Sequence, residues 1–582
     1  MKQKTTFFTR LVACMLILAL AISLSPVTGA SAKKPKTTVN MKEKTVKAYT
    51  DGLPDGMDTK IYFNGKGDIP YFDLEYALDN TMTFLGMSAK DKSLSVKRTK
   101  NTLVWTRNNG GVISTVTYDF KKNTIVISDL EEFLRKDGYD LVYFEDTDSA
   151  NDALLEPGGT NYSRHGKSLN LDLNKYGVKI LKDKKKDYIP VQTYNDLFFS
   201  KFTRFFLYNG EALILGTSNK LSADMKEKYY KPAPKKMSKE YAAFNYGELC
   251  LALDLLYGLK ESHNIKSFDE FFTETGLGSL IKSQDAAGTD TALITAINLY
   301  FDDIHCGYGE RSYNSSEDAI KKANETIPQG AYRSRFIKMR AELREFRSKY
   351  YPDGFVPYQE VGDTAYITFD SFALDPTKER TSLPTDADLP DLATDTVGLM
   401  QYALGKITRE GSPIKRVVLD LSTNGGGVGF TACYVLAAFL GSSSISIMNM
   451  TTGAQSFIDK KGDLNLDGVF DEKDTLANRG LKLYCVESGC SYSCGNLVPC
   501  VFKDSGKVTL IGRTSGGGSC IVQPMCTASG TTICLSGPNR LSFSKNGAFY
   551  DVDRGAEPDV YIEDMSKVYD RAYLNAFLDK VS

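Results

Sequence analysis

The run Arg416-Val-Val-Leu-Asp-Leu-Ser-Thr-Asn-Gly-Gly-Gly427 constrains this chain more than any other stretch. Its first half has the apolar, branched pattern of a strand buried on both faces. Three consecutive glycines then break the pattern, and an apolar helical run follows from Phe430 to Leu440. Glycines at such a corner let backbone N–H groups approach a ligand closely, as an oxyanion site requires. A second corner lies at Ser491-Tyr-Ser-Cys-Gly-Asn496, where a serine sits among small residues ahead of another helical pattern, Leu497 to Phe502. An attacking hydroxyl needs an exposed strand-to-helix corner of this kind. Together the two corners point to acyl transfer by a serine.

A serine hydroxyl is a weak nucleophile near neutrality and needs a base. The chain offers three histidines: His165, His263 and His305. His305 follows an apolar helical pattern, Ala292 to Phe301, that ends in Asp302 and Asp303. A base at a helix end, beside a turn, can project into a cleft. His165 lies in a Tyr-Ser-Arg-His-Gly-Lys loop and His263 in a Glu-Ser-His-Asn turn. Both read as solvated surface histidines.

With these landmarks the chain, from roughly Lys239 onward, resembles the tail-specific or C-terminal processing serine peptidases, on the branch that includes the tricorn protease core. The resemblance rests on segments that stand in the family's order. They are Asp302-Asp-Ile-His305, the strand Thr364-Ala-Tyr-Ile-Thr-Phe-Asp-Ser-Phe372, and Asp420-Leu-Ser-Thr-Asn-Gly-Gly-Gly427. Ser491-Tyr-Ser-Cys-Gly495, Ile511-Gly-Arg-Thr-Ser-Gly-Gly-Gly518 and Gly555-Ala-Glu-Pro-Asp-Val560 complete the series. The resemblance implies Ser493 as nucleophile and His305 as general base. It also implies an oxyanion hole from the N–H of Cys494 with that of Gly426 or Gly427.

Many relatives use a lysine from a Thr-x-Gly-Lys-Gly segment, but Thr514-Ser-Gly-Gly-Gly518 contains none. A serine–histidine mechanism therefore fits better, and it needs no lysine desolvated to lower its pKa. The branch places a glutamate shortly before Gly-x-x-Pro-Asp, where this chain has Asp551 and Asp553. On a strand both would face the same side, so spacing does not choose between them. Asn496 stands where the family often has an acid. These departures leave a catalytically inactive peptide- or ligand-binding protein on the same scaffold as the alternative. A thiol nucleophile at Cys494 ranks below Ser493. A crotonase-like acyl-thioester enzyme would share the glycine-built oxyanion hole, but its cofactors are cytoplasmic.

A separate motif, Asp463-Leu-Asn-Leu-Asp-Gly-Val-Phe-Asp-Glu-Lys-Asp474, follows the D-x-[DN]-x-D-G calcium loop. The expected ligands are Asp463, Asn465, Asp467, the Val469 carbonyl and Asp474, with Asp471 acting through water. Phe470 would anchor the loop inward. Ca2+ is expected as a structural brace between the glycine corner and the nucleophile, with no cofactor for catalysis. Extracellular modules bind calcium at roughly 0.1–1 mM.

The 582 residues exceed one core. Seventy-one basic against 72 acidic residues give a net charge of −1, and so no electrostatic case for nucleic acid. Lys2, Lys4 and Arg10, an apolar run from Leu11 to Leu24 and then Ala30-Ser-Ala32 form the order of a secretory signal peptide. A secreted or cell-surface location is expected, with no membrane span. Export permits disulfides among the remaining cysteines, though no pairing can be derived.

The expected fold is α+β and multidomain. It comprises a signal peptide (1–32), a flexible lead (33–59), a β-rich N-terminal module (60–230), a linker (231–238) and a helical subdomain carrying His305 (239–354). The resemblance implies an α/β catalytic core (355–582) of stacked β-β-α units, ClpP/crotonase-like, with the calcium loop inserted at 463–474. No peptide-binding PDZ module is found. The whole reads as a secreted serine endopeptidase acting on proteins or peptides, with cell-wall contact through the N-terminal module.

Overall fold

The computed structural model describes residues 39–85, 93–135, 151–157, 160–375 and 378–581. The expected signal peptide lies outside them. Where a flexible lead was expected, the chain forms β1 (Met41–Thr50) and most of β2 (Leu53–Asn64), paired antiparallel from Met41↔Asn64 onward. The segment is polar because its side chains are largely exposed. It is ordered because β1 also pairs in parallel with the distant strand Leu213–Gly216, and only Val46 of β1 is buried. That partner lies too far along the chain for a local composition argument to find.

The N-terminal region packs on Trp105, whose ring stands edge-on to Tyr118 at 4.8 Å. It is not a detached module. β3 (Thr160–Arg164) pairs antiparallel with a strand of the core, at Ser456↔Tyr162, and the Asp463 N–H donates to the Leu154 carbonyl. The helical subdomain begins with α1 (Lys239–Leu256), after a Ser238 N-cap that receives the Tyr241 N–H. It includes α2 (Ala331–Ser348), a helix rich in arginine.

In chain order the core then runs β4 (Tyr358–Val361), β5 (Thr364–Thr368), α3 (Thr396–Thr408), β6 (Arg416–Asp420), α4 (Gly429–Leu440), β7 (Ile445–Asn449) and β8 (Gln455–Ile458). It continues with β9 (Lys482–Glu487), α5 (Cys494–Ser505), β10 (Val508–Gly512), β11 (Cys520–Cys526), β12 (Thr532–Lys545), β13 (Val560–Tyr561) and α6 (Arg571–Val581). One sheet has the order β4-β5-β6-β9-β10-β13, antiparallel at β4–β5 and parallel from β5 to β13. Alternation along β6 explains its all-apolar sequence. Val417 and Leu419 enter the large cluster with α3 and α4, whereas Val418 enters the cluster holding Leu574 and Leu578 of α6. A strand covered on both faces has no solvent side to mark with polar residues.

The carboxyl ends of β6, β9 and β10 lead into three loops, 421–428, 488–493 and 513–519, where parallel sheets hold their ligands. A second sheet is built on the long β12, which pairs with β7, β11 and the short strand Gly307–Tyr308. That last pairing brings the histidine segment to the core. Among the described residues no helix is long and apolar enough to cross a membrane.

Candidate active site

Asn424 joins the two sequence corners. It is fully buried, its side-chain NH2 donates to the Phe369 carbonyl, and its own carbonyl accepts the Tyr492 N–H at 3.0 Å. Its Oδ1 takes the Gly426 N–H at 2.8 Å, so that amide is already used. Gly427, at φ 146°, lies against Phe372. The Phe372 N–H donates to the Gly426 carbonyl at 2.9 Å and the Val428 N–H to the Phe372 carbonyl at 2.8 Å. A Cβ on Gly427 would stand 2.4 Å from the Phe372 oxygen, and one on Gly426 would stand 2.4 Å from Ser493 Cβ. Both glycines are dictated by close approach.

Ser493 occupies the corner between β9 and α5 with φ 59° and ψ −125°, a region that costs a non-glycine residue about 1–3 kcal/mol. The turn is held by its neighbours. The Ser493 N–H donates to the Gly517 carbonyl at 2.9 Å, and the Ser491 hydroxyl donates to the Leu421 carbonyl at 2.8 Å. The hydroxyl of Ser493 makes no capping bond. Beside it lies a cavity of about 250 Å³ with Phe430, Leu497, Ile521 and Leu541 in its wall. Cys494 opens α5, where an N–H has no intrahelical acceptor. Burial pushes the Cys494 thiol up to about 12, against the nearby Gly427 and Cys494 amides, so it stays a thiol at neutral pH. This weakens the cysteine alternative.

His305 follows a π-helical turn, Ala296–Phe301, and the left-handed Asp302, whose carboxylate receives the Tyr332 and Arg333 N–H groups that open α2, each at 2.8 Å. Such turns are frequent at functional sites. The imidazole stands edge-on to Tyr492, ring centres 4.9 Å apart, and so lies beside the residue that precedes Ser493. Its Nδ1 is buried without a hydrogen-bond partner. Burial lowers the imidazole pKa, against Asp303 and then Asp553, which favours the neutral form that can accept a proton. Among the described residues no hydrogen bond joins Ser493 to His305; catalytic hydrogen bonds often tighten only when substrate is present.

The sequence left Asp551 and Asp553 level, and the structure separates them. Asp551 is mostly exposed and pairs with Arg540 at 2.9 Å. Asp553 also pairs with Arg540, at 3.3 Å, but turns inward, takes the Ser519 N–H at 2.7 Å and lies within electrostatic reach of His305. Neither carboxylate bonds to the imidazole. A third acid, Asp303, is closer in effect. Its link to His305 is through the main chain, since it accepts the His305 backbone N–H at 3.1 Å rather than a ring nitrogen, and it takes the Tyr492 hydroxyl at 2.9 Å and the Ser536 hydroxyl as well. Burial raises the Asp303 carboxyl, but His305 and these donors outweigh it and hold it below the usual range. The Asp-Asp pair ahead of His305 was the available signal for this residue.

His263 also departs from expectation. It is half-buried, shares a 3.0 Å hydrogen bond with the Tyr257 hydroxyl and is held low by burial. His165 is half exposed and faces Asp129 and Glu132, as a solvated histidine should. All ten described cysteines are free.

In the expected calcium loop, Asp463 is buried, and its Oδ1 has no hydrogen-bond partner while its Oδ2 takes the Gly468 N–H. Asn465, Asp467 and Asp474 turn oxygens onto backbone amides. Among the described residues no three His, Cys, Asp or Glu side chains stand together as a metal cluster. Val469 is half exposed, and the inward anchors are Leu464 and Leu466, where Phe470 was expected.

Residues 363–562 match the family model described as Peptidase family S41. No curated protein matches the chain. Among solved structures it is similar to a photosystem II D1 C-terminal processing protease, at 17% identity over 34% of this chain and 42% of that one, TM-score 0.25. It is also similar to a lipoprotein from Streptococcus agalactiae, at 13% identity over 59% and 98%, TM-score 0.35. The third is the tricorn protease, at 11% identity over 84% and 46%, TM-score 0.30. This chain thus spans less than half of the processing protease, and scores this low carry no argument of their own. The family match is what supports an S41-type peptidase core.

Proposed function

We propose that this protein is a secreted serine endopeptidase. Ser493 attacks a peptide carbonyl, His305 takes its proton and returns it to the leaving amine, and the Gly427 and Cys494 amides hold the oxyanion. Asp303 and Asp553 favour the imidazolium formed on the way, Asp303 more strongly; Asp551, mostly exposed and not among the charges that act on His305, has no part. The carrying observation is the strained Ser493 corner pressed against Gly426, within the segment that matches the peptidase family. The cavity beside Ser493 gives room for a substrate side chain. Asn496 does not replace the acid often found there. Its NH2 donates to the Val552 carbonyl and its Oδ1 accepts from Ser515, so it ties α5 to the segment before Asp553.

The test is intact mass after a fluorophosphonate. A single adduct at Ser493, lost in Ser493→Ala and His305→Ala, is the expected result. A folded protein that takes no adduct would leave the peptide-binding alternative standing.

The 463–474 loop belongs to the same reading as a calcium brace. It sits against α4, whose Tyr434 hydroxyl donates to the Asp463 carbonyl at 2.6 Å, and against Leu154 of the N-terminal region. Its support is the orphaned Asp463 oxygen, since a buried carboxylate oxygen without a donor is costly. Calcium at about tenfold over its dissociation constant should stabilise the protein by about 1.4 kcal/mol, read as a rise in melting temperature. Asp463→Asn should lose most of that rise. An equal rise in both proteins, or none in wild type, sinks the brace.

A further inference from the structure

The peptidase reading leaves unexplained a groove of about 680 Å³ on the α2 side of the 513–516 loop. Phe336, Met339, Leu343 and Phe346 project into it from α2, and Met565 faces them. These positions recur every three or four residues, so they form one apolar stripe along the helix. Opposite them run Gly489 and Arg513 to Gly516, beyond the carboxyl ends of β9 and β10. The groove adjoins the nucleophile turn directly. The Gly516 N–H donates to the Ser491 carbonyl at 2.8 Å, and the Tyr332 hydroxyl donates to the Gly516 carbonyl at 2.6 Å.

The charge around this apolar floor is unbalanced. Arg335, Arg513 and Arg554 line the groove and are exposed. Among the described residues no carboxylate pairs with any of them. Arg335 lies over the Tyr332 ring, and Arg513 donates to the Glu563 carbonyl. The groove's own acids are engaged elsewhere, Asp553 with Arg540 and the Ser519 N–H, and Glu342 with Lys338. A neighbouring guanidinium, Arg340, lies beside Gly425 with its Nε buried and unpartnered. An apolar channel flanked by unanswered arginines complements a peptide that alternates apolar and acidic side chains, because arginine matches carboxylate geometry.

We propose that the groove between α2 and the 513–516 loop is an extended substrate subsite that selects peptide segments carrying Asp or Glu beside large apolar residues. This rests on the peptidase reading for its purpose, and its binding arm can be tested without catalysis. Two fluorescent nonapeptide pools would be compared by anisotropy on the full-length Ser493→Ala protein. One pool alternates Leu or Phe with Asp or Glu; the other carries Asn or Gln in place of the acids. The acidic pool should bind about fivefold tighter at low salt, with the advantage shrinking as salt screens it.

Arg335→Gln with Arg554→Gln should reduce the preference to less than about twofold, and Lys97→Gln with Lys100→Gln, on the N-terminal region, should leave it intact. In parallel, cleavage sites of the wild-type protein in denatured casein would be read by mass spectrometry. Enrichment of acidic residues near the scissile bond, lost in the arginine variant, is expected. Equal binding of both pools, or a preference that survives the arginine changes, overturns the inference. Absence of casein cleavage alongside a clear acidic-pool preference would count against the peptidase reading while leaving the subsite in place.

Discussion

Ser493→Ala lowers the turnover of a peptide substrate by about 10⁵- to 10⁶-fold, the loss seen when a serine nucleophile is removed from a working constellation. The fold should survive, because the Ser493 hydroxyl makes no capping bond whose loss would cost stability. The corner is held by main-chain bonds, from Ser493 to Gly517 and from Tyr492 to Asn424, which alanine keeps. The backbone angles add a second readout. At φ 59° and ψ −125° alanine is as strained as serine, whereas glycine is not. Ser493→Gly should therefore be more stable than Ser493→Ala by about 1 kcal/mol, equally inactive, and compared by denaturant midpoint. Activity retained in Ser493→Ala would refute the nucleophile. Equal stability of the two variants would refute the strained corner.

Glu487→Gln stabilises the protein by several kcal/mol at mildly alkaline pH, with each unit of pKa shift worth about 1.4 kcal/mol. Glu487 ends β9, directly ahead of the nucleophile turn, and is fully buried with neither carboxyl oxygen partnered. Burial pushes its pKa up to about 9 from the ordinary 4.5, so it folds as the neutral acid. The sign follows from that direction. The folded state holds a proton that the unfolded chain releases above about pH 4.5, so stability is full at low pH and is lost as pH rises through 9. Glutamine has the shape of the neutral acid and does not titrate. The two proteins should match near pH 4 and diverge steadily to pH 9 in chemical denaturation. A difference independent of pH would show that Glu487 is ionised in the fold or that its pocket admits water.

Local sequence carried much of the site. β6, the glycine corner, α4 and the Ser493 corner are all legible, because burial and close approach mark the local composition even where the partner is distant. Buried strands read as apolar runs, and close backbone approach demands glycine whatever the partner. The choice between Asp551 and Asp553 was not legible. Residues 551–553 form no strand, so alternation did not apply to them; what sets Asp553 apart is the Ser519 N–H and its reach to His305, both brought from other elements.

His263 illustrates the same limit. Its polar turn looks solvated until Tyr257 folds over it. The sequence by itself determined the candidates: which serine stands at a small-residue corner, which glycines are consecutive, which histidine follows an acidic helix end, and where the acidic loop lies. Only the tertiary structure decided the rest. It brought the Tyr492 hydroxyl onto Asp303, ordered β1 through a partner at residues 213–214, and opened an arginine-lined groove beside the Ser493 turn. These are pairings between residues far apart in the chain, and no periodicity or spacing encodes which distant surfaces will meet.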